Sequence, residues 1–207
     1  MVKIKICGIG NLQDAIEISN LEPDYIGVIS ERKSPRYVSP KVIKLMKEIG
    51  VKSKIVIVMQ NERLNLMYEV AHQSEADILQ IHRIIERPEE INKLSKQYSI
   101  KVIIALLYPP ELNYFKYIEQ IDEDIVEGYL IDSSSKGEQV PISFVKALSS
   151  LKKVGIAGGL DSKVVGNLLK EVRPYFVDAS SKLEIYPGKK DLNKVKEFIE
   201  EVRRYDS

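Results

Sequence analysis

Residues 2–10 read VKIKICGIG, and the way this run ends separates the two folds open to the chain. Val2 to Ile6 alternate as a strand does, which brings Cys7 to the strand end and lets Gly8 begin a turn. An open doubly wound sheet usually follows its first strand with a three-glycine dinucleotide fingerprint, and Cys7-Gly8-Ile9-Gly10 lacks the third glycine. The same unit, a short β-branched run followed by a loop and an amphipathic helix, then recurs along the chain. Its strands read VKIKI, YIGVI, KIVIVM, DILQI, IKVIIALL, GYLID, KKVGIA and YFVDA. They are nearly continuous apolar runs, as parallel strands covered on both faces require. Eight such units in 207 residues, with no Pro-, Gly- or Ser-rich linker, predict one α/β domain over 1–207, a (β/α)8 barrel.

The helical stretches carry ordinary core stripes. In SPKVIKLMKEIG, Ser39 is expected to cap the helix, with Pro40 in the first turn, where its missing N–H costs nothing. Val42, Ile43, Leu45, Met46 and Ile49 then form the buried face, as do Val195, Phe198, Ile199 and Val202 in the last helix. The tyrosines from Tyr108 to Tyr129 are expected to pack a fifth helix, PELNYFKYIEQI, against the barrel.

Composition excludes several functions. Lys+Arg 31 against Asp+Glu 30 gives no basic footprint, so no nucleic-acid partner is expected. No apolar run approaches a membrane span, and the opening strand is charged, which predicts no membrane partner and a cytoplasmic location. One cysteine forbids an internal disulfide. Two histidines, one cysteine and no close carboxylate cluster argue against a metal site.

Barrel chemistry gathers at the carboxyl ends of the strands. Cys7 follows strand 1, and its thiolate can serve as base or nucleophile; a small buried apolar residue is the alternative reading. Arg36 follows strand 2 in SERKSPRY, where a planar fork suits a carboxylate or phosphate, or is simply a solvated charge. His82 ends strand 4 and reads as a packing or hydrogen-bonding residue, and His72 as a surface one. Asp132 ends strand 6, as an acid or as a capping carboxylate. Gly158 and Gly159 follow strand 7, while Asp178, Ser180, Ser181 and Lys182 follow strand 8. Glycines and hydroxyls in those two loops are how barrels offer backbone N–H groups to a phosphate. The implied partner is a small phosphorylated substrate.

Five segments in order, KICGI, KSPRYVSP, LQIH, AGGL and VDASSKLEIYPGKKD, resemble the phosphoribosylanthranilate isomerase family of tryptophan biosynthesis. The resemblance runs from the first strand to the last helix. It implies a (β/α)8 barrel that needs no cofactor and catalyses an Amadori rearrangement of N-(5-phosphoribosyl)anthranilate. By the same resemblance Cys7 is the general base and Asp132 the general acid. Arg36 binds the anthranilate carboxylate and Asp178 faces the ribose. Gly158, Gly159, Ser180 and Ser181 hold the phosphate. A monomer or a homodimer is expected, the sequence not deciding between them. Three positions depart from the family pattern. The loop after strand 6, SSSKGEQVPISF, has a single glycine; Lys182 stands where glycine is usual; Gly10 stands where threonine is usual. Lys182 is expected to join the phosphate ligands. Another phosphosugar-handling barrel enzyme, or a non-catalytic phosphometabolite-binding barrel, is the alternative.

Overall fold

The computed structural model describes residues 1–133, 138–148, 150–151 and 153–205. Eight parallel strands close into a barrel: β1 (Lys3–Cys7), β2 (Tyr25–Ile29), β3 (Lys54–Met59), β4 (Ile78–Ile81), β5 (Lys101–Tyr108), β6 (Val126–Ser133), β7 (Val154–Ile156) and β8 (Phe176–Ala179). Each pairs with its sequence neighbours, and β8 closes on β1 with Lys5 opposite Asp178. Around it run α1 (Leu12–Ser19), α2 (Pro40–Glu48), α3 (Leu64–Gln73), α4 (Pro88–Tyr98), α5 (Tyr114–Ile118), α6 (Ile142–Ala147), α7 (Ser162–Glu171) and α8 (Leu192–Arg204). A short hairpin, β9 (Glu184–Tyr186) and β10 (Lys189–Lys190), stands between β8 and α8.

Strand alternation divides the apolar residues into two cores. One set faces outward to the helices; Tyr25, Val56, Ile78, Ile103, Leu130 and Phe176 fill the barrel. Phe176 fits because Gly155 faces it, where a Cβ would fall 2.2 Å from the ring. At the amino end of the strands Lys3 Nζ donates to Tyr25 Oη (2.9 Å) and Tyr175 Oη (2.5 Å), and Tyr25 Oη donates to Glu127 (2.5 Å). This polar plug closes the floor and leaves the carboxyl end as the open one.

Local details differ from the sequence reading in three places. Ser39 makes no side-chain cap; its carbonyl accepts from Val42 and Ile43, while Pro40 removes one of the orphan donors a cap would serve. In α2, Ile43 and Met46 are buried, but Leu45, and Ile49 just past the helix, are exposed, because only a narrow stripe meets the barrel. The fifth helix is five residues long, held by Tyr114 Oη donating to the Leu107 carbonyl and Tyr117 Oη accepting from the Ile85 N–H. Val195, Phe198, Ile199 and Val202 are buried as expected. Residues 134–137 of the loop after β6 lie outside the described residues.

Candidate active site

A cavity of about 520 Å³ opens at the carboxyl end of the barrel, a size ordinary for a small-molecule site. The residues the sequence assigns to catalysis or binding, namely Cys7, Arg36, Asp132, Gly158, Gly159, Asp178, Ser180, Ser181 and Lys182, all line it. Gln80 and His82 line it as well.

Cys7 is the last residue of β1 and is buried. Its partner across β2 is Gly27, where a Cβ would sit 2.6 Å from Sγ, so the thiol occupies space that only glycine leaves. Burial pushes its pKa above the ordinary thiol value; Lys5 opposes that rise, Asp178 adds to it, and Lys190 opposes it again.

Lys5, which carries no role in the sequence reading, lies behind the cavity wall and pairs with Asp178, which lines it. It is fully buried, and its Nζ donates to Asp178 Oδ2 at 2.6 Å. Burial alone would neutralise it, but the charge of Asp178 beside it, and that of Cys7, raise its pKa and hold it protonated. The other oxygen of Asp178, Oδ1, is buried without a hydrogen-bond partner among the described residues. A buried acceptor left open beside a cavity is suited to a ligand hydroxyl.

Asp132 lies near the end of β6. Burial lifts its pKa to about 6, against the opposing pull of the Ser133 N–H and of Lys5. His82 Nε2 stands 3.6 Å from Asp132 Oδ2. That separation is a contact between a carboxyl and a neutral ring, since burial and the charge of Lys5 push His82 down to about 4. His82, read from sequence as a packing or hydrogen-bonding residue, stands in the cavity; His72 is exposed, its ring against Tyr98.

Arg36 is already engaged. Its Nε and Nη2 grip the two oxygens of Glu184, and Glu184 is also held by Lys190 Nζ at 3.1 Å and by the Gly188 N–H at 3.2 Å. Burial works against the Glu184 charge, yet the Arg36 hydrogen bonds, Lys190 and Gly188 bring its pKa down to about 2. The hairpin that supplies Glu184 and Lys190 is tied back to α1 through buried Asp14, which accepts from the Lys190 N–H (2.8 Å) and pairs with Lys189. Gly10 packs against this hairpin so closely that a Cβ would fall 2.4 Å from the Gly188 carbonyl oxygen.

Across the mouth, Gly158 and Gly159 take positive φ values of 96° and 62°, a turn glycine adopts readily. Facing them, Ser180 precedes a single 3-10 turn, Ser181–Leu183, and Lys182 is exposed at the rim. The two loops and Lys182 thus border one end of the cavity.

Eight parallel strands closed on themselves, each followed by a helix and opening into a cavity at their carboxyl ends, define a (β/α)8 barrel. The family model described as N-(5'phosphoribosyl)anthranilate (PRA) isomerase matches residues 4–201, and the chain belongs to that isomerase family of tryptophan biosynthesis. It is 36% identical to the N-(5'-phosphoribosyl)anthranilate isomerase of Saccharolobus solfataricus, over 98% of this chain and 97% of that one. To the isomerase of a Sulfurihydrogenibium species it is 38% identical, over 97% and 98%. A crystal structure of phosphoribosyl anthranilate isomerase in complex with reduced 1-(o-carboxyphenylamino)-1-deoxyribulose 5-phosphate superposes with a TM-score of 0.81 at 29% identity, covering 99% of this chain and all of that one. No described helix is long and apolar enough to cross a membrane.

Proposed function

We propose that the chain converts N-(5-phosphoribosyl)anthranilate into 1-(2-carboxyphenylamino)-1-deoxyribulose 5-phosphate, with Asp132 as general acid and Cys7 as general base. The observation that carries this reading is a half-buried carboxyl, Asp132, with its pKa raised to about 6, in the same cavity as the chain's single thiol. Ring opening needs a proton on the ribose ring oxygen, and Asp132 supplies it as the C1–O bond breaks and the anthranilate nitrogen forms a double bond to C1. The thiolate of Cys7 then takes the proton from C2. The electron pair left behind moves toward the cationic nitrogen, giving an enol with an amine at C1. Protonation at C1 and loss of the enol proton yield the ketone, so the product is an isomer of the substrate.

Lys5 is the cation that offsets the buried thiolate. Asp178, held by Lys5 through one oxygen, offers Oδ1 to a ribose hydroxyl. Glu184 occupies one edge of the Arg36 fork and leaves Nη1 and an Nη2 proton for the anthranilate carboxylate. At the opposite end, the backbone around Gly158, Gly159, Ser180 and Ser181 receives the phosphate, and Lys182 adds a point charge. The substrate's two anionic ends thus match two cationic walls on either side of the acid and base. The purified protein with freshly prepared phosphoribosylanthranilate is expected to consume the substrate's fluorescence. Stable fluorescence with folded protein would contradict the proposal.

A further inference from the structure

Gln80 and His82 stand two residues apart on and just after β4, both facing the cavity. Gln80 is 1% exposed, a deep burial for an amide. Its Nε2 lies 3.1 Å from His82 Nδ1, and its Oε1 is buried with no partner among the described residues. The other ring nitrogen of His82 faces Asp132.

A neutral imidazole has one donor and one acceptor, so whatever occupies Nδ1 decides what Nε2 presents to Asp132. With the Gln80 amide donating to Nδ1, the ring proton must sit on Nε2 and point at the carboxyl. Rotating the amide by half a turn would reverse this. It would bury two unpaired N–H donors in place of one N–H and one carbonyl oxygen, the costlier pair, and would set a ring lone pair against the ionised carboxylate.

We propose that Gln80 is a positioning residue that locks His82 as the Nε2–H tautomer, so that an N–H donor faces Asp132 as negative charge appears there. Asp132 gives its proton to the substrate and becomes a carboxylate; the His82 proton stays on Nε2 and donates to it. The contact of 3.6 Å shortens to a hydrogen bond when the charge forms. Lys5 on β1 and Asp178 on β8 are the other charged groups acting on this pair, and neither supplies a donor aimed at the ring. The inference rests on Asp132 being the acid.

The chain has two histidines, so 15N-histidine labelling gives two imidazole spin systems, assigned with a His72→Gln variant. In the wild-type protein His82 is expected to be protonated on Nε2 throughout pH 6–8, a range above its pKa of about 4. In Gln80→Leu that preference is expected to weaken, and the acidic midpoint of kcat/KM, set by Asp132, to move upward by roughly half to one pH unit as the donor to its carboxylate is lost. A purely structural role for Gln80 would leave both unchanged. A proton on Nδ1 in the wild-type protein, or unchanged tautomer and midpoint in Gln80→Leu, would overturn the proposal. The wild-type spectrum decides the tautomer even if the variant fails to fold. Near-normal turnover in Asp132→Asn would instead remove the acid assignment and leave the tautomer result standing.

Discussion

Arg36 and Glu184 form a two-pronged pair, Nε to Oε1 at 2.7 Å and Nη2 to Oε2 at 2.6 Å, so the arginine meets a ligand with its orientation already set. A lysine can keep the charge but not the fork. Arg36→Lys is therefore expected to lower kcat/KM well beyond twofold, or ~0.4 kcal/mol. Glu184→Gln should raise KM more than it lowers kcat, since it loosens the arginine without touching the reacting atoms. Unchanged KM in both variants would leave Arg36 as a structural tie between the β2 loop and the hairpin.

How much of this was legible in the sequence depends on the range of each contact. The eight strands, and Cys7 and Asp132 at their ends, follow from local alternation and order. Lys5 does not: a lysine alternating with isoleucines reads as a solvent-facing residue, and only closure of β8 onto β1 turns it toward Asp178, 173 residues away. Glu184 stood within a recognisable ending but acquired its role only through Arg36, 148 residues distant. His82 reads as a strand-end residue, yet its neighbour across the cavity, Asp132, comes from β6. Five residues of helix where twelve were expected at α5 show the opposite limit, where apolar periodicity outruns the helix that forms.

The thiol gives direct access to Lys5. Cys7 is the chain's only cysteine, so the rate of alkylation by iodoacetamide reports its thiolate alone. Lys5→Met removes the cation that acts most strongly on the thiol and should raise the Cys7 pKa. Alkylation at a fixed neutral pH is expected to slow by roughly tenfold, the equivalent of one pKa unit. Equal rates in a folded variant would show that Lys5 serves Asp178 only.

The pH profile has an unusual sign. Asp132 must be protonated yet has a pKa of about 6, while Cys7 must be ionised yet titrates above the ordinary thiol value. Between those two pKa values each step upward in pH yields tenfold more thiolate and tenfold less acid, so kcat/KM is expected to be flat. It should fall below about pH 6, where Asp132 is already protonated and thiolate continues to decline. A profile that falls as pH rises from 6 to 8 would contradict this pairing of acid and base.

Lys182 tests the phosphate end. Lys182→Ala is expected to raise KM for the phosphorylated substrate and to weaken inhibition by inorganic phosphate, with a shallower dependence on salt than the wild-type protein shows. Identical phosphate inhibition constants would place Lys182 outside the site and leave the anion to the backbone of the two loops.

The acid–base assignment is the centre of the account, and turnover of phosphoribosylanthranilate by Cys7→Ala and Asp132→Asn beside the wild-type protein tests it most directly. Loss of a general acid or base costs roughly 10² to 10⁴ in rate, so both variants should lose at least about a hundredfold in kcat while remaining folded and binding substrate with little change in KM. A near-wild-type kcat in either would contradict it, returning Cys7 to a buried apolar residue or Asp132 to a positioning carboxylate.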